Sequence, residues 1–138
     1  DAVTKGAKVL IGGKKPEGLE GAYYEPTVLT DITKDMRVYT EEVFGPVLPI
    51  MAFETEAEAI ELANDTPYGL SAFIYTNDKE QAARIAKEIV TGNISINGAN
   101  YFTDNAPFGG HKDSGMGSAD GKYGFRHVTK MKTVSEMK

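Results

Sequence analysis

The alternation that begins at Val47 limits the fold of this chain more than any other feature. Val47–Phe53 is a continuous apolar run, the pattern of a strand covered on both faces, although Pro49 removes one ladder donor. Thr55-Glu56-Ala57-Glu58 has the capping-box spacing and predicts a helix running to about Asn64. Ser71–Thr76, rich in β-formers, predicts a second strand. Asp78 opens the clearest helix, with Ala82, Ile85, Ala86, Ile89 and Val90 on one face, and Gly92 is expected to stop it at the C′ position. Asn93–Asn97 alternates polar and apolar as a third strand. Strand, helix, strand, helix, strand with short joints implies two right-handed crossovers and therefore an α/β fold with a parallel βαβαβ sheet. Such sheets bind ligands beyond the carboxyl ends of their strands. The loops after Phe53, Thr76 and Asn97 are thus the expected places for a site.

Around this unit the pattern is sparser. Val9–Ile11 reads as a short strand ending at Gly12-Gly13, Pro16–Gly21 as a polar loop and Tyr23–Leu29 as extended structure. Asp35–Glu42 holds at most a helical turn. The stretch Gly98–Gly117 carries Tyr101, Phe102, Phe108 and five glycines. A loop of that length inside a compact unit is usually functional or disordered, and Phe108 between Pro107 and a Gly pair argues for order. A short helix is expected near Ala119–Arg126, and Val128–Met137 then alternates again as an edge strand or arm. The expected organisation is one domain portion over residues 1–126 and an arm over 127–138.

Composition removes several classes of function. The formal net charge of −5 argues against nucleic acid or an anionic membrane as the main partner, since both reward clustered Lys and Arg. Lys130-Met131-Lys132 is too short a basic cluster to change that. The 138 residues contain no cysteine, which excludes a disulfide scaffold, thiolate metal ligands and a cysteine nucleophile within the chain. No apolar run reaches transmembrane length and nothing near Asp1 resembles a signal peptide, so the cytoplasm is the expected location. Asn93-Ile94-Ser95 fits the glycosylation sequon but sits inside an alternating strand, and it reads as chance.

Several chemical motifs fail on inspection. Gly115-Met116-Gly117 followed by Gly121 misses the dinucleotide fingerprint by one residue, and no strand ends before it. Gly109–Ser114 lacks the Gly-Lys-Ser/Thr of a P-loop. His111 and His127 share no carboxylate at ligand spacing, so no metal is expected. His111 near Ser114 lacks an orienting acid, and Gly69–Phe73 fails the nucleophile-elbow pattern. No self-sufficient catalytic constellation is present.

The hexapeptide Glu41-Glu42-Val43-Phe44-Gly45-Pro46 stands directly before the Val47 run. A carboxylate at the mouth of a strand can accept hydrogen bonds from both hydroxyls of a ribose, and a ring can pack against a flat heterocycle. The competing reading is a solvated turn whose Phe caps the core. Two further blocks follow in register, Asn64-Asp65-Thr66-Pro67-Tyr68-Gly69-Leu70-Ser71-Ala72 and Ala106-Pro107-Phe108-Gly109-Gly110-His111-Lys112-Asp113-Ser114-Gly115-Met116-Gly117. Taken together, the three resemble the C-terminal part of the NAD(P)-dependent aldehyde dehydrogenase superfamily, from about Gly12 to Val134.

That resemblance implies oxidation of a small-molecule aldehyde through a cysteine thiolate, with a glutamate base and hydride transfer to NAD or NADP. In the family the cysteine, the base and the pyrophosphate-binding domain precede the region resembled here. This chain alone is therefore expected to hold no catalytic residue and to be inactive. The resemblance places Glu42 at the nicotinamide ribose, Phe44 beside the nicotinamide end and Leu70 near the nicotinamide. It places Phe102 and Phe108, with Tyr101 adjacent, along the substrate tunnel. It also implies a homo-oligomer joined through the C-terminal strand. Ser118-Ala119-Asp120-Gly121 departs from the family's usual Arg-Glu, and Val128 replaces the usual aromatic before Thr129. Two alternatives stay open: a non-catalytic binding or assembly module, and a coenzyme-A-acylating or reductase member of the same superfamily.

Overall fold

The structure is a computed structural model that describes residues 1–99 and 103–137. It falls into two compact units, Asp1–Glu54 and Thr55–Lys138. This division differs from the boundary expected at 126/127.

The first unit is built on three strands: β1 (Lys8–Ile11), β2 (Thr27–Thr30) and β3 (Val47–Pro49), with the short helix α1 (Arg37–Thr40) between the last two. β1 pairs antiparallel with β2, and β2 pairs parallel with β3 in the register Thr27↔Val47, Val28↔Leu48, Leu29↔Pro49. β3 lies at the sheet edge, where the missing N–H of Pro49 is tolerated. The strand is shorter than the apolar run suggests, and the ladder is extended by one bond at each end, Thr27 N donating to Pro46 O and Ile50 N to Leu29 O, both at 2.8 Å. Leu48, Ile50 and Phe53 stay exposed, so the expected cover on both faces is not supplied within this unit. The buried residues are Ala7, Leu29 and Met36, joined by Thr27. The Thr27 hydroxyl is satisfied: it accepts from Gly13 N and donates to Glu25 O, each at 2.8 Å. The N-terminus of α1 is met by Asp1, whose carboxylate accepts from Arg37 N at 2.8 Å.

The second unit contains α2 (Glu56–Asn64), β4 (Tyr68–Gly69), β5 (Ser71–Ile74), α3 (Lys79–Glu88), β6 (Asn93–Ile96), β7 (His111–Lys112) and α4 (Gly121–Val128). Both long helices start as the side chains dictate. Thr55 Oγ1 accepts from Glu58 N at 3.2 Å, and Asp78 Oδ1 accepts from Glu80 N and Gln81 N at 2.9 and 3.0 Å. Arg84 of α3 reaches both carboxylate oxygens of Glu56 on α2. β5 and β6 run parallel, Ser71↔Asn93 through Ile74↔Ile96, with α3 as the connection that returns the chain to the same end of the sheet. Their carboxyl ends are tied by Asn97, whose side chain accepts from Thr76 N at 2.9 Å and donates to Thr76 O at 2.8 Å. Ile74, Ala82 and Ser95 are buried.

Four features depart from the sequence pattern. Among the described residues β5 pairs with β6 alone, so one of the two expected βαβ crossovers is present as a paired sheet in the second unit. Helix α3 ends at Glu88 with Ile89 extended, so Gly92 is not its C′ residue. The pair β4–β7, antiparallel with Tyr68↔Lys112 and Gly69↔His111, sits inside what reads as loop. Residues 129–137 form no strand, and Met131, Val134 and Met137 are exposed. An edge strand needs a partner edge, and no described strand of this chain pairs with that segment.

Candidate functional site

In the first unit, Glu42 and Phe44 lie in the turn between α1 and β3, and both are exposed. The two acids of the turn are not equivalent. Arg37 donates to both carboxylate oxygens of Glu41, at 2.9 and 2.8 Å, and that pair holds the Glu41 carboxyl below its ordinary range. The ring of Phe44 is 94% exposed, so it does not cap the core of its own unit. What the turn presents is a carboxylate and a bare ring two residues apart.

In the second unit the long loop turns back on itself because its glycines permit it. Phe108 and Ala119 exchange backbone hydrogen bonds at 3.0 and 2.7 Å and close the segment between them. Within that segment, β7 docks on β4. Ser114 Oγ accepts from Gly69 N at 2.9 Å, and Asp113 N donates to Pro67 O at 2.9 Å. The Lys112 ammonium donates to Asn64 O and Thr66 O, both at 2.9 Å, and so satisfies carbonyls at the end of α2. Gly92 packs against the same loop so closely that a Cβ there would stand 1.7 Å from Gly109 O.

Between the folded-back loop and α4 lies a cavity of about 560 Å³. Leu70 and Phe108 both line it, together with glycine backbone, Met116, Asp120, His127 and Val128. His127 rests directly on Gly117, where a Cβ would come within 2.4 Å of the imidazole. Asp120 enters α4 with φ 60° and ψ 165°, a conformation that side chains rarely adopt, and makes no capping hydrogen bond. The lining thus includes the apolar side chains of Leu70 and Phe108 and two ionisable groups, Asp120 and His127, from the α4 segment.

The sheet rule points to loops after the carboxyl ends of the strands, yet Leu70 stands just before the first residue of β5. The reason is the return of the loop to β4, which brings Phe108–Ala119 back to the amino ends of β5 and β6. Of the residues expected to form a site, Leu70 and Phe108 share this cavity. Tyr101 and Phe102 lie outside the described residues. Asn93 was legible only as a sequon, yet its side-chain amide donates to Leu70 O and Gly109 O at 2.9 and 3.0 Å. Ser114 and Lys112 likewise carry no local signal, because their partners are 45 or more residues away. Among the described residues no group of three or more potential metal ligands occurs, and no helix is long and apolar enough to cross a membrane.

The profile of the aldehyde dehydrogenase family matches residues 1–134. The chain is 44% identical over 134 residues to the mitochondrial succinate-semialdehyde dehydrogenase of Arabidopsis thaliana, covering 97% of this chain and 25% of that protein. It is 44% identical over 135 residues to the chloroplastic betaine aldehyde dehydrogenase of Atriplex hortensis, covering 97% of this chain and 27% of the relative. Among solved structures it superposes on the Mycobacterium tuberculosis aldehyde dehydrogenase complexed with NAD+ with a TM-score of 0.88 at 41% identity, over 94% of this chain and 27% of that one. The chain therefore spans about a quarter of the length of the curated relatives it matches. The mixed parallel and antiparallel strands described above match the fold of these enzymes.

Proposed function

This chain belongs to the aldehyde dehydrogenase family, and from that premise we propose that it forms the nicotinamide- and aldehyde-facing part of an enzyme that oxidises an aldehyde to a carboxylic acid with NAD or NADP. The observation that supports this reading most is the single cavity shared by Leu70 and Phe108, one expected on the cofactor side and the other on the aldehyde side. The exposed turn of the first unit fits the cofactor as well. Glu42 is an acceptor able to take two ribose hydroxyls, and Phe44 offers an uncovered ring for the nicotinamide end. Bound NAD or NADP would supply the hydride acceptor. Leu70 would exclude water beside the nicotinamide and Phe108 would hold the apolar part of the aldehyde, a substrate role proposed also for Tyr101 and Phe102.

No thiol is present in the 138 residues, so the nucleophile is proposed to lie on polypeptide outside them. The purified chain is then expected to produce no NADH from aldehydes, and production by this chain would overturn the assignment. In a dehydrogenase that includes this chain, Glu42→Gln is expected to weaken cofactor binding by about ten- to a hundredfold, the loss of one charge-assisted hydrogen bond. An unchanged cofactor Kd would refute the ribose role. The segment 127–138 is proposed as an arm that adds a strand to a neighbouring subunit, in keeping with its alternation and its exposed Met131, Val134 and Met137.

A further inference from the structure

Asn93 opens β6, and its amide does two things at once. Its backbone N–H donates to Leu70 O at 3.1 Å, in the parallel ladder with β5. Its side-chain Nδ2 donates to the same Leu70 O at 2.9 Å and to Gly109 O at 3.0 Å. Both acceptors are backbone carbonyls, so the amide nitrogen and not its oxygen must face them. Both hydrogens of that nitrogen are thereby used. One nitrogen therefore joins the backbone of Leu70 to that of the residue that directly follows Phe108, and both Leu70 and Phe108 line the cavity. Gly92 beside it packs closely on the Gly109 carbonyl, where a Cβ would stand 1.7 Å from the oxygen.

We propose that Asn93 is a positioning residue that sets the separation of Leu70 and Phe108, and with it the width of the gap into which the aldehyde end of a substrate fits. The assignment of those two residues to cofactor and aldehyde rests on the reading above; the mechanical link through Asn93 does not. A neutral donor pair is required at this place. A carboxylate would set oxygen against two carbonyl oxygens, and an aliphatic side chain would leave both carbonyls without this donor. In the Asn93-Ile94-Ser95 sequon the side-chain nitrogen is thus engaged in two hydrogen bonds, and Ser95 is buried.

The test uses the 138-residue chain with labelled leucine methyls and phenylalanine rings, and reads geometry instead of turnover. In Asn93→Ala, the resonances of Leu70 and Phe108 are expected to shift together, while the amides of Phe73 and Ile96 in the β5–β6 pair keep their protection from hydrogen exchange. Asn93→Thr, which suits a strand and keeps a single donor, is expected to give a smaller displacement of the same two signals and guards against loss of folding in the alanine variant. Unmoved Phe108 signals in both variants would overturn the proposal. Loss of β5–β6 protection in both variants would also overturn it, showing that Asn93 merely holds the strand. Because no dehydrogenase assay enters, this experiment can fail while the enzymatic reading stands, and the reverse.

Discussion

Replacing Gly92 by alanine is the sharpest perturbation the structure offers. The φ of Gly92 is not in the left-handed region, so backbone conformation is no obstacle. The obstacle is space. A Cβ would stand 1.7 Å from Gly109 O, 2.8 Å from Gly109 C and 3.3 Å from Gly110 Cα, all main-chain atoms that no rotamer change can move. To reach an ordinary contact of 3.4 Å, the Gly109 carbonyl must retreat by about 1.7 Å. That retreat works against the Asn93–Gly109 bond of 3.0 Å and against the seat of β7 on β4. Overpacking costs about 1–3 kcal/mol and each lost hydrogen bond about 1 kcal/mol, so a destabilisation of about 3 kcal/mol is expected. For a unit of this size that is a fall of roughly 12–24 °C in its melting transition. Calorimetry, with amide exchange at β5 and β6 to identify the transition, measures it. Gly98→Ala is the matched control in the same unit, since its Cβ would meet only ordinary contacts at 3.8 and 4.0 Å. Its transition is expected to stay level or rise slightly. If Gly92→Ala melts as the control does, close packing of these backbones is not what holds the loop.

Two other outcomes follow from single residues. Asp120→Gly relieves a φ of 60° with ψ 165° and gives up no capping bond, so stability is expected to rise by about 1 kcal/mol in the denaturant midpoint; no rise would mean the residue is unstrained. The α2–α3 contact is expected to weaken in acid. Hydrogen bonding from Arg84 holds the Glu56 carboxyl below its ordinary 4.5, and the backbone N–H of Gln81 chiefly holds Asp78 below 3.8. Both folded values are depressed, so their contribution is fully present above the ordinary values and is lost as pH falls through the folded ones. Amide exchange in α3 should be constant from neutral pH to about 4.5 once corrected for intrinsic rates, then accelerate, and Glu56→Gln with Arg84→Met should flatten the part due to the ion pair.

The elements legible in the sequence were those whose cause is local. Thr55 and Asp78 are each followed within three residues by the amides they cap, so the starts of α2 and α3 could be placed to the residue. The parallel pairing of β5 and β6 followed from the helix-length connection between them, which carries the chain back to the starting end of the sheet. Leu70 and Phe108 could be named because the blocks around them resemble a family. Their meeting in one cavity could not be read in advance, because it depends on β7, a strand of two residues with no periodicity. Lys112 within it even adopts a positive φ of 52°, which β-propensity would count against a strand.

Gly92 shows what kind of information was misread. A glycine after a helical run looks like a C′ residue, and conformational freedom is the usual reason for one. Here the helix stops four residues earlier, and the glycine serves to let Gly109 approach. The same holds for Gly109, whose Cβ would lie 2.4 Å from Gly117 O. A glycine-rich loop is often taken for a flexible lid, yet two of these glycines exist to bring backbones together, and Asn93, Ser114 and Lys112 then fasten them. The cavity wall formed by Phe108 is for that reason a fixed part of the second unit. At the α4 segment of the lining the fastening is different: Asp120 is held at φ 60° without a side-chain capping bond, and the His127 imidazole lies against Gly117.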